Sequence, residues 1–269
     1  MGRSGIITFL TDFGLSDAYT AMMKGVALSI NRNAGLIDIT HNIRAGSVFQ
    51  GAGILKDAYS YFPEGTVHVA VVDPGVGSSR RPIAVKAAGH FFVGPDNGLL
   101  WPVIEDTPDA KVVELTEKKY FLSRITSTFH GRDVFAPVAA HISLGIEISM
   151  LGPLITDPEK LNMPLPYIKD YILEGEITHV DNFGNLITNI TAANLSSFLG
   201  NKNPLIQIGE YKISGLCAAY SDRDKGELMA LINSSNHLEI AVSLGRASEY
   251  ICRAPDDITG TSVKVISIS

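Results

Sequence analysis

The chain has 269 residues, a formal net charge of −6, and 45% hydrophobic against 19% charged residues, enough apolar material for one large or two ordinary domains and too much for disorder. No apolar run approaches the ~18 residues of a membrane span, Asp12 interrupts any signal-peptide core, and position 6 lacks the Ser or Thr of a myristoylation site. Apart from Arg80-Arg81 there is no basic block for nucleic acid, so a cytoplasmic protein with a small, neutral or cationic ligand is expected.

In chain order, "GIITFLTDF" reads as a strand, "DAYTAMMKGVALSIN" as a helix and "GLIDIT" as a strand. In "AGSVFQGAGILKDAYSYFP" the apolar residues Val48, Ala52, Leu55, Tyr59 and Phe62 form one helical face ended by Pro63. "TVHVAVVD", "PIAVKAAG", "HFFVGPDNG" and "AKVVEL" follow as strands and "VFAPVAAHISLG" as a helix. Strands alternating with helices predict an α/β domain with a mostly parallel sheet. "TDPEKLNMPLP" has three prolines and no periodicity, and reads as a linker. Beyond it, short β runs broken by Gly, Asn and Ser predict a small all-β, barrel-like or sandwich domain. The expected division is 1–160 and 161–269. Cys217 and Cys252 lack metal-ligand spacing and are expected as buried thiols.

No P-loop, G-x-G-x-x-G, H-E-x-x-H, C-x-x-C or G-x-S-x-G is present. What remains is polar residues at the ends of apolar strands, where parallel sheets bind ligands. Asp12 of "FLTDFG" follows a strand directly, as ribose-binding acids do, or is a turn residue. Asp73 closes "VHVAVVD", and Arg80 lies seven residues on across "PGVGSS"; the pair either forms a surface salt bridge or aims an acid and a base at one point. "FHGRDVFAP" places His130, Arg132 and Asp133 before a helix that Asp133 could cap. "GPDNG", with Asp96 and Asn97, is a turn by composition. "VDNFGN" offers Asp181, Asn185 and the Phe183 ring either as a hairpin turn or as groups around a base. Ser234 and Ser235 fall in a probable hairpin loop, with Gly245 and Ala247 beyond.

Taken together, "TDFG", "VVDPGVGSSRR", "GPDNG", "FHGRD", "DNFGN" and "NSS…G.A" occur in this order over nearly the whole chain, which resembles the adenosine-forming S-adenosyl-L-methionine (SAM) hydrolases. These are also called SAM hydroxide adenosyltransferases, relatives of fluorinating and chlorinating enzymes. The resemblance implies an N-terminal α/β domain, a C-terminal β-barrel domain, and a homotrimer with each site between the N domain of one subunit and the C domain of the next. It implies a triad of Asp73, Arg80 and His130, with Asp12 on the ribose hydroxyls and Phe183 and Asn185 near the nucleoside. Asp181, Ser234 and Ser235 would hold the methionine amine and carboxylate, and the Ala247 backbone would meet adenine. Asn97 of "GPDNG" joins this substrate-binding set. Arg80 and a protonated His130 are expected to stabilise hydroxide while Asp73 orients it or takes a proton; no metal or organic cofactor is required. The rivals are halide transfer to C5′, a metal-dependent hydrolase using Asp12, Asp73, Asp96 and His130, and a non-catalytic binder of SAM or adenosine.

Overall fold

A computed structural model describes residues 2–251 and 258–268, and the chain divides into two compact units, Met1–Asn162 and Met163–Ser269. Cys252 lies outside the described residues; Cys217 is a half-buried free thiol.

The first unit holds strands β1 (Ile6–Thr11), β2 (Gly35–Thr40), β3 (Val67–Val71), β4 (Pro82–Ala87), β5 (His90–Pro95), β6 (Lys111–Glu114) and β7 (Leu154–Ile155) in one sheet, ordered β2-β1-β3-β5-β4-β6-β7. β2, β1, β3 and β5 pair in parallel, and β4 runs antiparallel to both β5 and β6. Five of the seven strands therefore share a direction, with β4 and β7 reversed. The reversal of β4 is local. Only Ala88 and Gly89 separate it from β5, both at positive φ, and two residues make a hairpin but cannot make a parallel crossover. Helices α1 (Tyr19–Ile30) and α2 (Val48–Tyr59) are the crossovers from β1 to β2 and from β2 to β3.

Period-two alternation sorts the strand side chains onto two faces. Ile7, Phe9, Val69, Phe91 and Val93 join a core with Met23 and Ala27 of α1 and with helix α4 (Ala136–Ser143). Leu10, Ala70, Val72 and Phe92 join a second core with Ala52 and Leu55 of α2 and with the short helix α3 (Trp101–Glu105), which the sequence reading passed over. Burial of each large apolar side chain contributes roughly 1.5–3 kcal/mol.

Three of the polar side chains buried within this sheet form a chain of contacts. Thr8 Oγ1 lies 2.8 Å from His68 Nδ1, and His68 Nε2 lies 3.2 Å from His90 Nδ1. Burial, helped by the neighbouring His90, lowers the His68 pKa from 6.5 to about 3. Because the folded pKa is the depressed one, this group's contribution is fully present above the unfolded pKa of 6.5 and is lost as pH falls below it. Urea unfolding at pH 5 should therefore show a stability about 2 kcal/mol lower than at neutral pH from this residue. His68→Gln should flatten the slope, and equal slopes in the two proteins would contradict this assignment.

The second unit is an eight-stranded antiparallel, barrel-like sheet. Its strands are β8 (Tyr167–Lys169), β9 (Ile172–Val180), β10 (Leu186–Thr191), β11 (Asn203–Ile208), β12 (Tyr211–Ser214), β13 (Leu228–Ile232), β14 (His237–Val242) and β15 (Ser262–Ile268). The order is β12-β11-β15-β9-β10-β14-β13, with β8 on β9. It is not all-β. Helix α5 (Ala192–Leu199) forms because Thr191 and Asn194 make a reciprocal capping box and Leu195 and Leu199 bury one face. Helix α6 (Ala247–Ile251) follows β14.

Candidate active site

Pairing of Thr11 with Val71 sets the carboxyl ends of β1 and β3 side by side, so Asp12 and Asp73 emerge together. After Asp73 the chain makes two successive turns, Val76 N–H donating to Asp73 C=O and Ser78 N–H to Gly75 C=O. These turns bring Arg80 back onto Asp73. The Arg80 Nε donates to both carboxylate oxygens at 3.0 and 2.9 Å, and Nη2 donates to Oδ2. Both side chains are buried, 9% exposed for Arg80 and 4% for Asp73, so this is no solvated surface pair. Arg81 diverges, donating to Asp96 and Asp157 and holding the 157–159 segment to the sheet.

His130 completes the cluster, with Arg80 Nη2 2.8 Å from its Nδ1. A guanidinium only donates, so Nδ1 accepts and the imidazole proton sits on Nε2. Burial and the Arg80 charge lower the His130 pKa, against the opposing pull of Asp73 and Asp133. The protonated His130 expected from the sequence is thus corrected to a neutral one, because its partner is a cation rather than an acid. Arg80 Nη1 is buried and makes no hydrogen bond among the described residues. A cavity of about 260 Å³ is lined by Asp12, Phe13, Val71, Asp73, Val76, Thr128, Phe129, His130 and Gly131.

Asp12 keeps one carboxylate oxygen on Gly46 N–H at 2.8 Å and retains acceptor capacity toward the cavity. Asn97 is not among the residues lining this cavity: Nδ2 donates to Val72 C=O and Oδ1 accepts from Leu99 N–H, engaging its amide with the strand end that carries Asp73. Asp133 does not cap α4. It lies within a π-turn, Gly131–Phe135, and accepts from Thr126 and Arg132. No group of three or more His, Cys, Asp or Glu that could hold a metal occurs among the described residues.

In the second unit, Asp181 Oδ1 accepts from Phe183 N–H and Asn185 N–H, and Oδ2 from Asn185 Nδ2. The turn thereby presents Phe183 outward, 73% exposed. Ala247 is buried, and the next residue donates from its N–H to Gly184 C=O, tying α6 to the turn. A cavity of about 440 Å³ is bounded by Phe183, Asn185, Tyr220, Val242, Leu244, Gly245 and Arg246. The two serines are elsewhere. Leu186 pairs with Ile240 but Thr191 with His237, so the β13–β14 hairpin bearing Ser234 and Ser235 lies at the end of β10 remote from Asp181. Strand register decides this, and spacing along the chain does not reveal it.

A family model described as the SAM hydroxide adenosyltransferase N-terminal domain matches residues 7–152, and the corresponding C-terminal domain model matches residues 175–258. The chain belongs to the SAM hydroxide adenosyltransferase family. It is 36% identical over 260 residues to the (R)-S-adenosyl-L-methionine hydrolase of Salinispora arenicola, covering 96% of this chain and 97% of that one. It is 30% identical to the fluorinase of an Actinoplanes species over 71% and 73% of the two chains. The crystal structure of an uncharacterized conserved protein from Thermotoga maritima is similar with a TM-score of 0.89 and 36% identity, covering 97% of this chain and 99% of that one.

Sequence reasoning missed several residues of this SAM hydroxide adenosyltransferase family member. Phe13 and Phe129 wall the first cavity and stack edge-on at 5.8 Å. Tyr220 in the second unit donates its hydroxyl to buried Glu239 at 2.7 Å. Glu239 was legible as a lone acid in the apolar run "HLEIAV"; Tyr220 had no local signal.

Proposed function

We propose that this protein hydrolyses SAM to adenosine and L-methionine. Water oxygen bonds to ribose C5′ as the C5′–S bond breaks, its electron pair leaving on sulfur as a neutral thioether. The leaving group needs no acid, so the demand falls on the nucleophile. The observation that carries this reading is the Asp73–Arg80–His130 hydrogen-bond network, whose Asp73 and His130 line one cavity together with Asp12. Arg80 stabilises the developing hydroxide, Asp73 orients the water and takes its proton, and neutral His130 fixes the guanidinium plane. Asp12 binds the ribose hydroxyls; Phe183, Asn185 and the Ala247 backbone face the nucleoside, and Asp181 the methionine amine. A carboxylate at position 73 disfavours a halide in the same place.

Following the family resemblance, the enzyme is a cytoplasmic homotrimer in which the β-rich unit of one copy completes the site of another. Incubation with SAM in oxygen-18 water tests the reaction: label belongs in the adenosine 5′-oxygen and methionine stays unlabelled. Unlabelled adenosine, or 5′-chloro-5′-deoxyadenosine formed in high chloride, would refute it.

The neutral His130 also sets a pH dependence. With its pKa lowered, kcat/KM should stay level from pH 8 down past the ordinary histidine value of about 6.5 and fall only at lower pH. Activity that rises on acidification through this range would mean that the imidazolium is the working form.

A further inference from the structure

The "FHGRD" motif contains a carboxylate that the reaction above does not use. Asp133 is fully buried and lies within the π-turn that begins immediately after His130. Such turns are costly interruptions of a helix and concentrate at functional sites. Its Oδ2 accepts from Thr126 N–H at 2.8 Å and Thr126 Oγ1 at 2.7 Å, and its Oδ1 from Arg132 Nε at 2.6 Å. Its backbone C=O accepts from Leu122 N–H and its N–H donates to Phe129 C=O.

The segment held in this way, 122–128, touches the site twice. Thr128 lines the cavity with Asp73 and His130. Ser127 C=O packs so closely on Gly77, in the loop carrying Arg80, that a β-carbon there would lie 2.5 Å from it. One carboxylate therefore ties the histidine's turn to the loop that presents the arginine.

We propose, resting on the hydrolase reading above, that Asp133 is a positioning residue for the reaction: it locks the 122–128 segment onto the π-turn and so fixes His130 beside Arg80. It also contributes charge. The groups acting on His130 are Arg80, which disfavours the imidazolium, and Asp73 and Asp133, which favour it. Burial opposes ionisation of Asp133, but the bonds from Arg132 and Thr126 outweigh it and hold its pKa below the ordinary value, so it acts as an anion. A buried ion pair serving only the fold would leave the chemistry of His130 unaltered when neutralised with its shape kept.

Asp133→Asn keeps the shape and removes the charge. The midpoint of His130, followed by NMR of ring-labelled histidine in the ligand-free protein, should move to lower pH because an anion favouring the imidazolium is lost. The acid limb of kcat/KM should move with it, and kcat should fall about tenfold while KM for SAM stays within about twofold. Either an unmoved His130 midpoint or an unchanged kcat overturns the assignment. Should Asp133→Asn fail to fold, Thr126→Val removes one donor only and should lower kcat about fivefold; wild-type kcat in that variant also overturns it. The NMR readout needs no turnover, so wild-type protein that fails to hydrolyse SAM would sink the hydrolase reading while the His130 midpoint still decides the role of Asp133.

Discussion

Arg80→Met should lower the rate of SAM hydrolysis by about a thousandfold while leaving adenosine affinity within a few-fold. The guanidinium grips both Asp73 oxygens and donates to His130 Nδ1, and in the proposed reaction it also stabilises the nucleophile. A single preorganised donor to developing negative charge is worth ~10²–10³ in rate, and Met removes the donor together with the orientation of both neighbours. It also leaves the Asp73 carboxylate, 4% exposed, without its cation, a loss of roughly 3–5 kcal/mol of stability for a buried pair broken on one side. Thermal melts must therefore accompany the kinetics. The double variant Asp73→Asn/Arg80→Met should recover much of the stability and none of the activity, which separates the two effects. Arg80→Lys keeps a charge but lacks the planar fork, and should still lose about a hundredfold. Turnover of Arg80→Met within tenfold of wild type would refute the role given to this residue.

Gly77→Ala should reduce kcat about a hundredfold through geometry alone. Gly77 has φ +80, a conformation that L residues rarely adopt, and its added β-carbon would meet Ser127 C=O at 2.5 Å. The carbonyl is backbone and the position of the β-carbon is fixed by the backbone, so no side-chain rotation relieves the contact. The Arg80 loop and the 122–128 segment must separate, and displacement of reacting groups by about 1 Å costs on the order of a hundredfold. Gly75 is the matched control: its β-carbon would meet Ser78 Oγ at 3.4 Å and Arg80 Cγ at 3.5 Å, near-ordinary contacts, and Gly75→Ala should keep kcat within about threefold. Steady-state kinetics of the two variants decide the matter, and a Gly77→Ala enzyme matching Gly75→Ala would remove the proposed coupling between the two loops.

Much of the first unit could be read from local pattern. "VHVAVVD" is apolar apart from His68 and the terminal Asp73 because β3 is central and covered on both faces. The two residues between "PIAVKA" and "HFFVGP" compel a hairpin. Asp73 and Arg80, seven apart across Pro and Gly, were legible as a pair because the loop between them is short. In the second unit, α5 carried a readable capping box at Thr191 and Asn194 that the Gly- and Asn-broken β texture around it obscured.

By itself the sequence determined most of the strands, though not β7 or β8, which strand ends carry acids, and that a carboxylate, a guanidinium and an imidazole were available. Only the tertiary structure decided that the His130 pKa is lowered, since burial and the Arg80 guanidinium on Nδ1 outweigh the pull of Asp73 and Asp133. The tertiary structure alone also decided that Ser234 and Ser235 sit apart from Asp181, and that Asp133 braces a loop instead of capping a helix. The physical reason is common to all three. Hydrogen-bond direction and local field are set by neighbours brought in through strand register and loop packing, at separations in the chain that no local spacing encodes.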